Sequence, residues 1–358
     1  MWVFYILVLV PLTMQHFTIK GYSSDYQKKN QRALLFFFMM MTILVALRHE
    51  SIGKDTENYI YYFERFSKLS WEQCGKEFVE WGFSYFNKFI SLFTKEPQVF
   101  FAITAIVTVS MIYPTYKRLC IDSSLTIVLF ITMSTFVLMF SGIRQMLAIG
   151  IGFLAYECTR KKKLLSFILC VILAIAFHTS AFMLVFMYPL YHAKITKKWL
   201  IIVIPVLVFV FAFNKQIFSF LGLLLIQFTE YDVSIMQTGA FMMLILFTIF
   251  AIFVFLIPDE HLFDAETMGL RNFMLLSVAL QMFAPLHMLA MRMNYYYIIF
   301  IPLLFPKIME ARSSCLTQNV IVSRHVMVIF FLVYFFYNAY TGAGNLDVFP
   351  YRFFWEGV

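Results

Sequence analysis

Apolar residues in this chain come in long runs rather than in alternation. Candidate membrane spans read at roughly 2–19, 33–47, 98–116, 124–141, 143–158, 164–190, 199–213, 239–257, 270–290, 294–309 and 325–340. Runs of this length suit helices that cross a hydrocarbon layer about 30 Å thick. The expected fold is therefore an all-α polytopic membrane protein of about 11–12 transmembrane segments, with 1–358 as a single integral membrane domain and no soluble domain. The first run, Trp2 to Ile19, lacks a basic leader and a small-residue cleavage site, so it reads as a retained span.

The polar residues between the runs set an orientation. Lys20, Lys28, Lys29 and Arg32 mark one cytoplasmic loop. Lys117 with Arg118, and Arg160 to Lys163, mark the next two. The segment 48–97 and the tail at about 341–358 then fall outside the cell. One run resists this scheme. Segment 164–190 has basic clusters on both flanks, Arg160–Lys163 and Lys194–Lys198. A single crossing would put one cluster outside, whereas a helical hairpin keeps both inside. Its arms would be Leu164–Phe177 and Ala181–Tyr191, each about 20 Å long, with "HTS", His178 to Ser180, at the turn. Backbone reversing at that depth is tolerated where protein or a water-filled cavity covers it.

Composition agrees. A chain that is 61% hydrophobic and 13% charged cannot hide its apolar surface as a soluble protein. The net charge of +8 sits in the loops and carries topology, so it gives no reason to expect nucleic acid. Cys74, Cys120, Cys158, Cys170 and Cys315 are scattered without a CxxC pair, which predicts neither a metal site nor a disulfide framework. No cofactor is expected.

With the hairpin in place, unusual polar residues converge on the outer face: Arg48, Arg144, His178 and Arg292, with Asp55 and Glu80 in the external segment. One arginine at the hydrocarbon boundary could simply snorkel to the headgroups. Three with a histidine read better as lining a ligand path. In "SGIRQMLAIGIGFLAYECTRKKK", Ala148, Gly152 and Ala155 follow Arg144 as a small-residue stripe that faces protein. Arg144 then faces the bundle interior, where its guanidinium fork suits phosphate or carboxylate. His178, between "ILAIAF" and "AFMLVF", reads either as a hydrogen-bonded structural residue or as a base. Asp55 and Glu80 are loop carboxylates that, opposite arginines, become candidate bases for a hydroxyl.

The runs "LRHESIGKDTENYIYYF", "EWGFSYFNKF", "SGIRQMLAIGI", "FHTSAFM", "RMNYYYIIFIP" and "FPYRFFW" occur in the order seen in the EpsG family, and from about Leu47 to Phe354 the chain resembles it. Those proteins count among the Wzy-like bacterial polysaccharide polymerases. The motif positions matched are Arg48, Gly53, Asp55, Thr56, Tyr59, Glu80, Gly82, Arg144, Gln145, His178 and Arg292. The resemblance implies a glycosyltransferase with a GT-C-like core in the bacterial plasma (inner) membrane, its active site facing the periplasm or cell exterior. It would join oligosaccharide repeat units carried on undecaprenyl diphosphate, for an exopolysaccharide, capsule or O-antigen. His178, Asp55 and Glu80 are the candidate catalytic groups. Arg144, Arg48 and Arg292 are the candidate diphosphate ligands, and Tyr59, Gln145 and Trp81 the glycan-binding or supporting residues. The implied partners are the lipid-linked donor and acceptor and the lipid bilayer, with room for a flippase and a chain-length regulator. A transporter or flippase of lipid-linked glycans would instead spread basic groups through the bundle depth. A membrane acyltransferase would hold its donor from the cytoplasmic side.

Overall fold

The computed structural model describes residues 2–16, 24–133, 135–224, 238–256, 263–313, 317–342 and 347–356. These fold as α1 (Trp2–His16), α2 (Ser24–Ala46), α3 (Thr56–Lys68), α4 (Trp71–Cys74), α5 (Trp81–Ile90), α6 (Pro97–Leu119), α7 (Ser123–Thr132), α8 (Thr135–Ser141) and α9 (Ile143–Arg160). Then come α10 (Leu164–Phe177), a 3-10 stretch Thr179–Phe186, α11 (Met187–His192), α12 (Leu200–Ala212), α13 (Asn214–Leu224), α14 (Thr238–Leu256), α15 (Ala265–Gln281), α16 (Met288–Ile298), α17 (Ile301–Ser313) and α18 (Thr317–Thr341). Among the described residues the β-structure is one isolated antiparallel bridge, Arg48 to Phe353.

Among the described residues three helices are long and apolar enough to cross a membrane: Tyr26–Ala46, Pro97–Leu119 and Val322–Thr341. Three bent pairs raise that to six if each is one span: α7 with α8 at 54°, α12 with α13 at 77°, and α16 with α17 at 47°. Shorter apolar helices lie at Trp2–Thr13, Leu164–Phe177 and Ala240–Phe255. The protein is thus an all-helical, polytopic membrane protein. Several runs expected as single spans are bent or divided differently. The run 124–141 is broken between α7 and α8. The runs 270–290 and 294–309 divide at His287 instead, so Arg292 stands inside α16. Pro302, next to the start of α17, lacks an N–H and crowds the preceding turn, which accounts for the bend there.

Every side chain described in α7 and α8 is buried, so the broken pair forms the hub of the bundle. Phe130 of α7 packs edge-on to Phe37, Phe38 and Tyr116, and the Tyr116 hydroxyl donates to the Ile299 carbonyl. At the periphery, α12 leaves Ile201, Ile204, Val208 and Phe211 exposed, the surface a lipid-facing helix presents.

Segment 164–192 is a hairpin. Phe167, near the start of the outgoing arm, meets Tyr188 near the end of the return arm, with ring centroids 5.4 Å apart. His192 Nε2 lies 3.1 Å from the Thr159 carbonyl. The return arm differs from the expected helix because it opens as a 3-10 stretch. At about 2.0 Å per residue it covers the outgoing arm's rise with fewer residues than a 3.6-residue helix needs. Both basic clusters therefore lie at one end of the bundle. Glu266 is at that end too, paired with Arg118 at 2.7 Å and hydrogen-bonded by Tyr156 at 2.6 Å. The small-residue stripe of α9 faces protein as expected: Ala148, Gly152 and Ala155 are buried, and a Cβ on Gly152 would meet Leu184 of the return arm at 3.2 Å.

Two glycines set the close approaches around the opposite end. Gly53 has φ +93, a left-handed conformation that favours glycine, and a Cβ there would lie 2.7 Å from the Phe140 carbonyl. Gly82 lets α5 rest on the end of α10, where a Cβ would lie 2.7 Å from the Ala176 carbonyl. Gly82→Leu should push α5 off α10 and cost about 1–3 kcal/mol through overpacking. The expected result is an inserted protein with a lowered Tm and little activity. Unchanged melting and activity would show that this approach is not needed.

Candidate functional site

The loop that ends α2 and opens α3, the start of α5, the start of α9, the tip of the hairpin and the first turns of α16 meet at the end of the bundle away from the basic clusters. They surround a cavity of about 160 Å³ lined by Asp55, Tyr59, Arg144, Gln145, His178 and Arg292, with Lys54, Ser141, Tyr295, Met288 and Met291 among the remaining wall residues.

Glu80 organises one wall. Its Oε2 accepts from Arg144 Nη1 at 2.6 Å. Its Oε1 is 3.1 Å from His178 Nδ1 and also accepts from the Thr179 backbone N–H at 3.1 Å and the Thr179 hydroxyl at 3.0 Å. A carboxyl that accepts from a guanidinium, a backbone N–H and a hydroxyl is ionised. Burial pushes its pKa up, but the hydrogen bond from His178 and the charge of Arg144 outweigh that and hold it well below the usual carboxylate range. The stability this group contributes is therefore complete above the ordinary glutamate pKa of about 4.3 and lost as pH falls through the depressed folded value. The Tm gap between wild type and Glu80→Gln should be full at neutral pH and narrow only on strong acidification. A gap that widens in acid would contradict the assignment.

His178 is placed by local backbone chemistry. It ends α10 in an extended conformation, φ −158 and ψ 122, and the chain reverses there into the 3-10 stretch. The ionised Glu80 can only accept, so the His178 proton resides on Nδ1. In the neutral ring that leaves the Nε2 lone pair available. Ser180, buried next in line, contacts the Tyr296 hydroxyl at 3.2 Å and ties the hairpin tip to α16.

Arg144 opens α9 and is held by Glu80 and by the buried Tyr59. Its Nε is buried without a hydrogen-bond partner. Gln145 donates to the Arg292 backbone carbonyl, which pins α16 against α9. The Arg292 side chain is exposed at the cavity. Asp55 stands at the N-cap of α3, yet its side chain makes no cap hydrogen bond.

Three sequence-selected residues sit elsewhere. Glu80 stands behind the lining, bonded to it. Trp81 is 53% exposed outside the cavity and lies edge-on to Tyr85. Arg48 is fully buried, stacked 4.2 Å over the Phe101 ring, and does not line the cavity. Burial lowers its pKa to about 10. Its backbone pairs with the tail: His49 N–H donates to the Arg352 carbonyl and Phe354 N–H to that of Leu47. Arg48, expected as a diphosphate ligand, thus lies beneath the tail and apart from the lining of this cavity.

Lys54 and Thr179 were missed. Lys54 adjoins Asp55 in "GKDTE", and its N–H donates to Ser141 Oγ at 3.0 Å. Thr179 adjoins His178. Adjacency to a selected residue was the signal for both. Among the described residues no group of three or more His, Cys, Asp or Glu side chains is placed to hold a metal ion.

The EpsG family model matches residues 32–353, a range that contains every residue of this cluster. No curated protein and no solved structure matches the chain.

Proposed function

Because the chain belongs to the EpsG family, we propose that it is a polysaccharide polymerase of the bacterial plasma membrane, joining oligosaccharide repeat units carried on undecaprenyl diphosphate. The observation that carries this reading is one cavity lined by Arg144, Arg292, Lys54, His178 and Asp55, with Glu80 bonded behind it. Cations for a diphosphate leaving group stand beside bases for an attacking hydroxyl.

In this reaction His178 Nε2 takes the proton of a sugar hydroxyl as that oxygen attacks the anomeric carbon of the donor. The bond from that carbon to the diphosphate oxygen breaks. The developing negative charge falls to Arg144, which Glu80 holds in place before reaction, and to the exposed side chains of Arg292 and Lys54. The His178 proton later passes to water or to the departing diphosphate. Glu80, bound by four donors and strongly acidic, is a poor proton acceptor and acts by positioning His178 and Arg144. Asp55 is the alternative base.

The basic clusters at the other end of the bundle favour a cytoplasmic assignment for that end. The cavity, the segment 48–97 and the tail then face the periplasm or cell exterior. The shorter apolar helices serve as short or re-entrant crossings around a GT-C-like core, toward the expected 11–12 segments. Lys197→Cys should be shielded from an impermeant thiol reagent in intact cells, and labelling from outside would reverse the orientation. A transporter is less favoured because Arg144 and Arg292 gather at one end. The decisive experiment supplies the purified protein in liposomes with lipid-linked repeat units. A ladder of longer glycans is expected, and unchanged units would sink the polymerase reading.

A further inference from the structure

Beyond the cavity, a short aromatic surface begins at the residue after Glu80. Trp81 and Tyr85 lie four residues apart on one face of α5, ring centroids 6.3 Å apart. Trp71 of α4 continues the row, 6.0 Å from Tyr85. Trp71 is 46% exposed and Trp81 53%. The row is built rigidly. The Ser70 side chain accepts from the Gln73 N–H while the Gln73 side chain accepts from the Ser70 N–H, a reciprocal cap that sets Trp71 at the first position of α4. Gly75 makes room for the Tyr85 hydroxyl, which lies 2.5 Å from where a Cβ would stand.

The surroundings of this row are wet. Lys76 pairs with Glu72 through side chains that are both about three-quarters exposed, and Arg65 pairs with Glu77 at 2.8 Å. The far end of α5 differs: Phe89, Leu92 and Phe93 are exposed close to the start of α6, as a membrane-interface belt would be. Indoles rimmed by ion pairs suit a ligand with apolar C–H faces and polar edges, which is the character of a pyranose ring. Its C–H face packs against the electron-rich aromatic face, and its hydroxyls reach Glu72 and Lys76.

We propose that Trp71, Tyr85 and Trp81 form a binding track for the glycan of the lipid-linked substrate, leading away from Glu80. The proposal rests on the polymerase reading and adds an extended subsite to it. The test uses Trp71→Ala in the full chain in liposomes, with lipid-linked donors carrying one or several repeat units. The KM for multi-repeat donors should rise about three- to tenfold, more than for single-repeat donors, and the product ladder should shorten. Trp71→Phe should restore both. An unchanged ladder with equal KM values would overturn the track. So would strong quenching of Trp71 by brominated lipid, which would place the row in the bilayer. If wild type forms no ladder, the polymerase reading fails instead. The track is then judged by tryptophan fluorescence titrated with free repeat-unit oligosaccharide: a saturable change lost in Trp71→Ala supports it, and no change overturns it.

Discussion

His178→Gln should insert, melt close to wild type and make almost no polymer. Glutamine can place its amide N–H near Glu80 and preserve much of the hydrogen bonding at the hairpin tip, but it cannot take up a proton at neutral pH. Loss of a general base costs about 100- to 10,000-fold in rate. Loss of one buried hydrogen bond costs about 1–3 kcal/mol in stability. Melting and polymer yield therefore separate the two roles of this residue. A variant that polymerises well moves the base to Asp55, which lines the same cavity without a cap bond. A variant that melts far below wild type marks the His178 ring as the tie that holds the hairpin reversal, since its Nδ1 is a side-chain link from the hairpin tip to Glu80 at the start of α5.

Arg144→Lys should keep the fold and lower polymer formation by about 100-fold, the scale of removing one fixed donor from a developing anion. Both side chains are cationic, so simple charge attraction survives. The fork does not. The guanidinium bonds Glu80 through Nη1 and has Nε and Nη2 as further donors. An ammonium that turns to Glu80 faces its partner from a single point. Near-normal polymer from this variant would remove Arg144 from the leaving-group site and leave the task to Arg292 and Lys54. Because the Glu80–His178 contact does not involve Arg144, His178 should stay in place, and product formation should retain the wild-type pH dependence at its lower rate.

The helical, membrane-bound character was legible because long apolar runs permit little else. The hairpin was legible for a narrower reason: two basic clusters flank one apolar run, and charge placement conflicts with a single crossing. Bends were harder to read. The α7–α8 break lies inside an unbroken apolar run, and its position depends on neighbours such as Phe37, Phe38 and Tyr116. Arg144, His178 and Arg292 stand out as polar residues beside apolar runs and Asp55 as a loop carboxylate opposite arginines, and the four line one cavity. Arg48 shows the limit of that signal. An arginine at a span end looks the same in sequence whether it faces a ligand or lies under a tail from more than 300 residues later. The role of Glu80 also depended on distance: its carboxylate serves three neighbours at once, and no spacing along the chain announces that.

The bridge between Arg48 and Phe353 has a consequence for biosynthesis. Gly53, which shapes the turn into Lys54 and Asp55, donates its N–H to the Asp347 carbonyl. The first wall of the cavity is therefore completed by a segment that follows α18 in the chain. A chain cut after α18 would carry every cavity side chain named above, yet its 47–55 loop would lack the strand partner that fixes it. Maturation of the site is in this way tied to synthesis of the 347–354 segment.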